Sequence, residues 1–213
     1  MMGIQHYYRC GMAGLMLGIF LGTSSLQAHH HNWIDVFAEW QFDTKGLISG
    51  VKLRWLFEDY YSVLLVDDAV TTGEELQAIL NKILSNTAKH HYFLQIEHEG
   101  GEASLGTHEQ ATIGVQNHRI ENEFLLPITV PLDPRHRDIV YQIAEPTYYF
   151  EMLHAEESPV IVLKDAPPSC RYRLEPPKLD AALVAYAASL GVNESGGDGL
   201  GIQFAETVTI RCE

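Results

Sequence analysis

The chain is poor in cysteine and in cations, and it has no apolar run long enough to cross a bilayer. Of its 213 residues three are cysteine and 14 are Lys or Arg, against 28 Asp or Glu, for a formal net charge of −14. So few cations exclude the dense basic clusters that a phosphate backbone demands, and nucleic acid is not an expected partner. Cations suit this charge better. The longest apolar stretch, Gly11 to Gly22, falls short of the ~20 residues a spanning helix needs. Internal repeats and low-complexity linkers are missing too, which predicts a single domain with its own core.

The usual catalytic signatures are also missing. Ser195 has Asn193, and Ser104 has Glu102, where a nucleophile elbow needs glycine. His98-Glu99 and His108-Glu109 are not followed by the second histidine of a zinc-protease helix. Glu97-His98-Glu99 beside Gly100-Gly101 is explained by a solvated hairpin end. The adjacent acids Glu58-Asp59 and Asp67-Asp68 carry little specificity in so acidic a chain. Gly196-Gly197-Asp198-Gly199-Leu200-Gly201 lacks the lysine of a phosphate loop, and with a strand expected next it reads as a flexible connection. The chain is therefore not expected to be an enzyme.

What is present begins with a secretory leader. Arg9 closes a short n-region, Gly11 to Gly22 form the apolar core, and Thr23 to Ala28 ends in a small residue. Residues 1–28 read as a signal peptide and residues 29–213 as one exported domain. Cleavage removes one cation and no carboxylate, moving the formal charge from −14 to −15. Cys170 and Cys212 then remain in a compartment where disulfides persist. A bridge between them closes a loop of roughly 43 residues, stabilises by about 4 kcal/mol on the chain-entropy model, and is expected to clamp the last strand to the body.

Hydrophobic periodicity supplies the elements. Trp33 to Phe42 and Leu47 to Phe57 flank Asp43-Thr44-Lys45-Gly46 as a hairpin. Thr72 and Glu75 resemble a capping box, and Leu76, Ile79, Leu80, Ile83 and Leu84 recur at helical spacing, predicting a helix from about Gly73 to Ala88. Lys89, His90 and His91 then complement its dipole. Short strands follow from Tyr92, a second helix runs roughly from Leu179 to Leu190, and Phe204 to Cys212 forms a final strand. Many consecutive strands with two main helices make an α+β fold with a largely antiparallel sheet.

The chemistry concentrates at Ala28-His29-His30-His31, ahead of Asn32-Trp33-Ile34-Asp35. Cleavage after Ala28 leaves a free amine beside three imidazoles, the commonest metal-binding side chains. Three coordination modes are open. The amine, intervening amides and His31 suit square-planar Cu(II) or Ni(II). The amine and ring of His29 with a distant histidine form a copper brace. His29 and His31 with one carboxylate from Asp35, Glu58 or Asp59 suit tetrahedral Zn(II). Trp33, Trp55, Tyr60 and Tyr61 are available to pack behind such a site, though core packing is the expected role of the tryptophans.

His-x-His-x-Trp-Ile-Asp at His29 to Asp35, Trp-x-Phe-acid-acid-x-Tyr-Ser at Trp55 to Ser62, and acid-Pro-Thr-Tyr-Tyr at Glu145 to Tyr149 resemble a bacterial periplasmic family of unknown function. Val208 to Cys212 fits it as well. That family is described as the periplasmic component of an uncharacterised ABC-type transport system, and its genes often neighbour nickel/cobalt efflux permeases. The resemblance implies no established activity. Relatives usually carry proline between the leading histidines, where this chain has His30. Proline has no amide proton to lose, so the shared feature points to the rings of His29 and His31 with carboxylate help.

A periplasmic binding protein for a divalent transition metal (Zn, Ni, Co or Cu), serving a membrane metal permease or ABC-type transporter, is accordingly the expected function. A histidine-brace copper oxidoreductase and a non-metal assembly partner of a permease are the alternatives. Only the oxidoreductase predicts oxidase or peroxide chemistry with copper, and only the assembly partner predicts no stoichiometric metal.

Overall fold

A computed structural model describes residues 32–213 apart from 73–74, 157–158 and 192–193. Its first elements are the expected hairpin, β1 (Asn32–Phe42) and β2 (Ile48–Phe57). Asp43 builds the turn by accepting the N–H groups of Lys45 and Leu47 at 2.8 and 2.9 Å, and Gly46 takes a φ of 76° that favours glycine. Strict alternation buries Ile34, Val36, Ala38, Trp40 and Phe42 on one face of β1.

Two helices follow where one was expected. The periodic residues form α2 (Leu76–Thr87), and a further helix, α1 (Asp59–Thr72), precedes it. α1 escapes a periodicity argument because its polarity is scrambled: Ser62 is fully buried, while Val63 and Leu64 are half exposed. Ser62 sits inside because its hydroxyl donates to the Glu58 carbonyl at 2.7 Å and accepts the Ile120 N–H at 2.9 Å. Thr72 ends α1 and Glu75 is itself the N-cap of α2, so the two do not stand at the N-cap and third position of one helix as expected. Lys89, His90 and His91 lie beyond α2 in a 3-10 turn, Ala88–Phe93, where His91 and Tyr92 adopt positive φ.

The remaining strands are β3 (Leu94–His98), β4 (Gly101–Glu102), β5 (Glu109–Gln116), β6 (Arg119–Leu132), β7 (Ile139–Ile143), β8 (Phe150–His154), β9 (Ile161–Lys164), β10 (Cys170–Glu175) and β11 (Thr207–Cys212). They make two sheets. One has the order β5-β6-β2-β1-β8, with β9 also on β1, and the other the order β10-β11-β7-β3-β4. Pairing is antiparallel except for β8 and β9, which run parallel to β1. One hydrophobic core spans both sheets and α2; the rings of Trp40 on β1 and Tyr141 on β7 meet across it at 4.7 Å. The fold is thus a single α+β domain with mostly antiparallel sheets, as expected.

The second predicted helix is α3 (Ala181–Ser189), capped by the Asp180 carboxylate accepting the Leu183 N–H at 2.7 Å. It packs by Leu183, Ala187 and Leu190 on a small separate cluster with Tyr148, Leu200 and Phe204. The glycine-rich stretch departs from expectation twice. A one-turn helix, α4 (Leu200–Gln203), begins within it and precedes β11. The stretch is also a packing element, since Gly196, Gly199 and Gly201 donate to the carbonyls of Thr147 and Pro146. A Cβ on Gly201 would lie 1.8 Å from the Glu145 carbonyl oxygen.

Cys170 and Cys212 are bridged. They sit directly opposite in the β10–β11 ladder. β11 is an interior strand held by β7 on its other side, so the bond ties the outer strand β10 to the body rather than the chain's last strand.

Candidate metal site

His29 and His31 lie outside the described residues. Their proposed carboxylate partners Asp35, Glu58 and Asp59 are described, and all three lie at the N-terminal end of β1. Backbone pairing brings two separated sequence motifs together there and sets β8, which directly follows the third, beside them. Ile34 is opposite Phe57, the Glu58 N–H donates to the Trp33 carbonyl at 3.2 Å, and Asn32 and Trp33 lie beside Phe150 and Glu151 of β8. Phe57, Tyr61 and Phe150 form an aromatic wall, with Tyr61 stacked on Phe57 at 5.5 Å and edge-on to Phe150 at 5.1 Å. Burial, with Tyr149 nearby as a second cause, pushes the Tyr61 hydroxyl above its ordinary pKa.

The three carboxylates have different duties. Glu58 is 5 % exposed, and its oxygens accept the N–H groups of Tyr60 and Tyr61. It thereby caps α1, satisfying amides that have no partner inside the helix and placing negative charge at its N-terminus. Asp35 accepts from Arg119 Nη2 at 2.7 Å. Asp59 is the open one: its side chain is 79 % exposed, and Arg119 Nε approaches no closer than 3.8 Å.

Arg119 is the residue that sequence patterning missed. It begins β6 and donates to the carbonyls of Phe57 at 2.6 Å and Leu56 at 3.0 Å as well as to Asp35. Excess acid gave a general hint that each half-buried cation would be paired, but not which acids it would choose. Trp33 departs from the expected core role, being 50 % exposed, whereas Trp55 is 1 % exposed and packs on Phe93 and Phe124. The third motif closes a turn: Glu145 accepts the N–H groups of Thr147 and Tyr149 and the Thr147 hydroxyl.

One titratable chain starts at His154, opposite Val36 of β1. His154 Nε2 is 3.0 Å from the Tyr141 hydroxyl, and its Nδ1 is 2.9 Å from Glu206, which also accepts the His154 N–H at 2.7 Å. Tyr141 is 1 % exposed, and desolvation, with the Glu206 charge adding to it, drives its hydroxyl well above the ordinary tyrosine pKa. These groups link β7 and β8 to the segment entering β11, and their burial makes them structural. Among the described residues no group of three or more His, Cys, Asp or Glu is arranged to hold a metal ion.

A family model described as a protein of unknown function (DUF1007) matches residues 14–212. An uncharacterised protein of Haemophilus influenzae is 27 % identical over 204 residues, which cover 93 % of this chain and 98 % of that one. No solved structure matches the chain.

Proposed function

The chain belongs to the DUF1007 family, whose function is unknown, and from that premise we propose that it is a periplasmic protein that binds a divalent transition metal and serves a membrane metal permease or ABC-type transporter. The single observation that carries this is the meeting of the Trp33-Ile34-Asp35 and Phe57-Glu58-Asp59 motifs at the N-terminal end of β1, with β8, which directly follows the Glu145-to-Tyr149 motif, alongside. His29 and His31 directly precede Asn32 in the sequence. Among the three acids close to Asn32 and Trp33, Asp59 is the most exposed and the least engaged, with only a 3.8 Å approach from Arg119. Two imidazoles and one carboxylate leave a fourth position of a tetrahedral ion open. An open position suits a carrier that must pass its metal on.

The test is metal stoichiometry by equilibrium dialysis on leader-cleaved protein, with Zn(II), Ni(II), Co(II) and Cu(II) each supplied alone. One equivalent bound by the wild type and lost in His29→Ala and His31→Ala is expected. Stoichiometry unchanged in both variants would overturn the proposal. A variant carrying one extra N-terminal residue reports whether the amine is a ligand.

A further inference from the structure

We propose that the outer edge of β10 takes up an extended acidic segment of a partner protein as an added strand, independently of any metal. β10 ends its sheet, and no other strand among the described residues pairs with its outer side. The direction of its backbone groups follows from the disulfide pair. Cys170 and Cys212 are directly opposite with Cα atoms 4.0 Å apart, close to the short spacing of a non-hydrogen-bonded pair. Their amides agree: Cys170 N–H donates to the Pro167 carbonyl and Cys212 N–H to the Pro134 carbonyl, both away from the shared ladder. Alternation then turns the N–H and C=O of Tyr172 and Leu174 to the free edge, ready to make four ladder bonds.

Two of the other sheet borders are blunted. β4 is two residues long, and β5 carries a register shift between Glu109 and Thr112; both are common ways of blunting an edge. β10 pairs with β11 through six residues in unbroken register and is locked at one end by the disulfide. Pro176-Pro177 then limits its length.

Charge selects the occupant. In a chain of net charge −14, the exposed side chains here are Arg171, Tyr172 and Arg173, with Arg211 paired opposite Arg171. Arg173 is 3.1 Å from Glu175 and Arg211 is 3.5 Å from Asp138. Arg171 donates to the carbonyls of Pro168 and Cys170 and has no carboxylate partner among the described residues. A second copy paired antiparallel about Tyr172 is disfavoured, because that register sets Arg171 against Arg173 of the copy, and like charges directly opposite repel. The same two positions form close, non-hydrogen-bonded pairs with an incoming strand, so acids spaced two residues apart fit them. Strand addition of this kind takes affinity from the backbone and selectivity from alternate side chains.

The probe is a short synthetic peptide alternating Glu and Val, with a Lys and Val peptide as control, measured on the full-length protein by fluorescence anisotropy. Saturable binding of the acidic peptide alone is expected, with slowed amide exchange at Tyr172 and Leu174. Arg171→Glu with Arg173→Glu should weaken it roughly tenfold or more and transfer preference to the basic peptide. Tyr172→Pro, which removes an outward N–H at a position where edge strands tolerate proline, should weaken it similarly; the exchange data decide the matter if that variant misfolds. No binding of the acidic peptide, equal binding of both peptides, slowed exchange confined to other strands, or a dimer held through β10 would each overturn the proposal.

Discussion

Arg119 at the head of β6 donates to the Asp35 carboxylate of β1 at 2.7 Å, and the same guanidinium closes the end of β2 through the carbonyls of Phe57 and Leu56. One side chain therefore fixes three strands where α1 begins. Arg119→Met should destabilise the domain by about 1–3 kcal/mol, because it strands a carboxylate and two carbonyls that are partly shielded from water. Urea unfolding checks this, and an unchanged midpoint would show that water replaces the guanidinium at no cost.

The three acids beside α1 should separate in a metal titration. Asp59→Asn is expected to weaken metal binding without lowering the melting temperature, since the side chain is exposed. Glu58→Gln should do the reverse. It removes charge from a helix N-terminus and weakens two capping bonds, at a cost of about 1 kcal/mol. Calorimetric titration and thermal melts on the same samples make the comparison.

Reducing the Cys170–Cys212 bond, whose partners are 42 positions apart, should cost about 4 kcal/mol on the chain-entropy model. Since β10 is the outer strand, its amides should lose exchange protection before those of β11 and β7. Simultaneous loss across all three strands would indicate that β10 is held as firmly without the bond.

Asn122 is 1 % exposed, and among the described residues neither its amide nitrogen nor its oxygen has a hydrogen-bond partner; the same holds for Nε1 of Trp55, the residue opposite it on β2. Asn122→Leu should raise stability by about 1–2 kcal/mol, the desolvation cost of an unpartnered amide. A lower urea midpoint in the variant would show that the amide is satisfied in solution.

High pH should unfold the protein through its tyrosines. The hydroxyls of Tyr61, Tyr148 and Tyr141 all titrate above the ordinary tyrosine value of 10.0, burial being the largest cause in each. A raised folded pKa means stability fully present below about pH 10 and lost as pH climbs through the folded values. Tyr141→Phe should lower stability at neutral pH, by removing the bond to His154, and flatten the decline above pH 10. Melting temperature against pH, together with ultraviolet titration of tyrosinate, tests both expectations.

Much of the fold was legible because its signals are local. Alternation over β1 and β2 and the Asp43–Gly46 turn need only neighbouring residues, and α2 needs only its apolar period. α1 was not legible: burying Ser62 rather than Val63 depends on Ile120, a partner on another strand. The glycine-rich stretch misled for a related reason, since its glycines serve the close approach of the Glu145–Thr147 turn, which nothing in the stretch itself announces.

By itself the sequence determined the α+β class, the opening hairpin, and a pair of cysteines able to bridge, because these depend on composition and on periods of two and 3.6 residues. Only the tertiary structure decided which acid beside β1 stays open. Asp35, Glu58 and Asp59 are equivalent as carboxylates in sequence, and they differ because β6 delivers Arg119 to Asp35, α1 starts on Glu58, and Asp59 is left facing solvent. Partners of that kind are set by long-range register, and a one-residue slip in it would exchange every one of them.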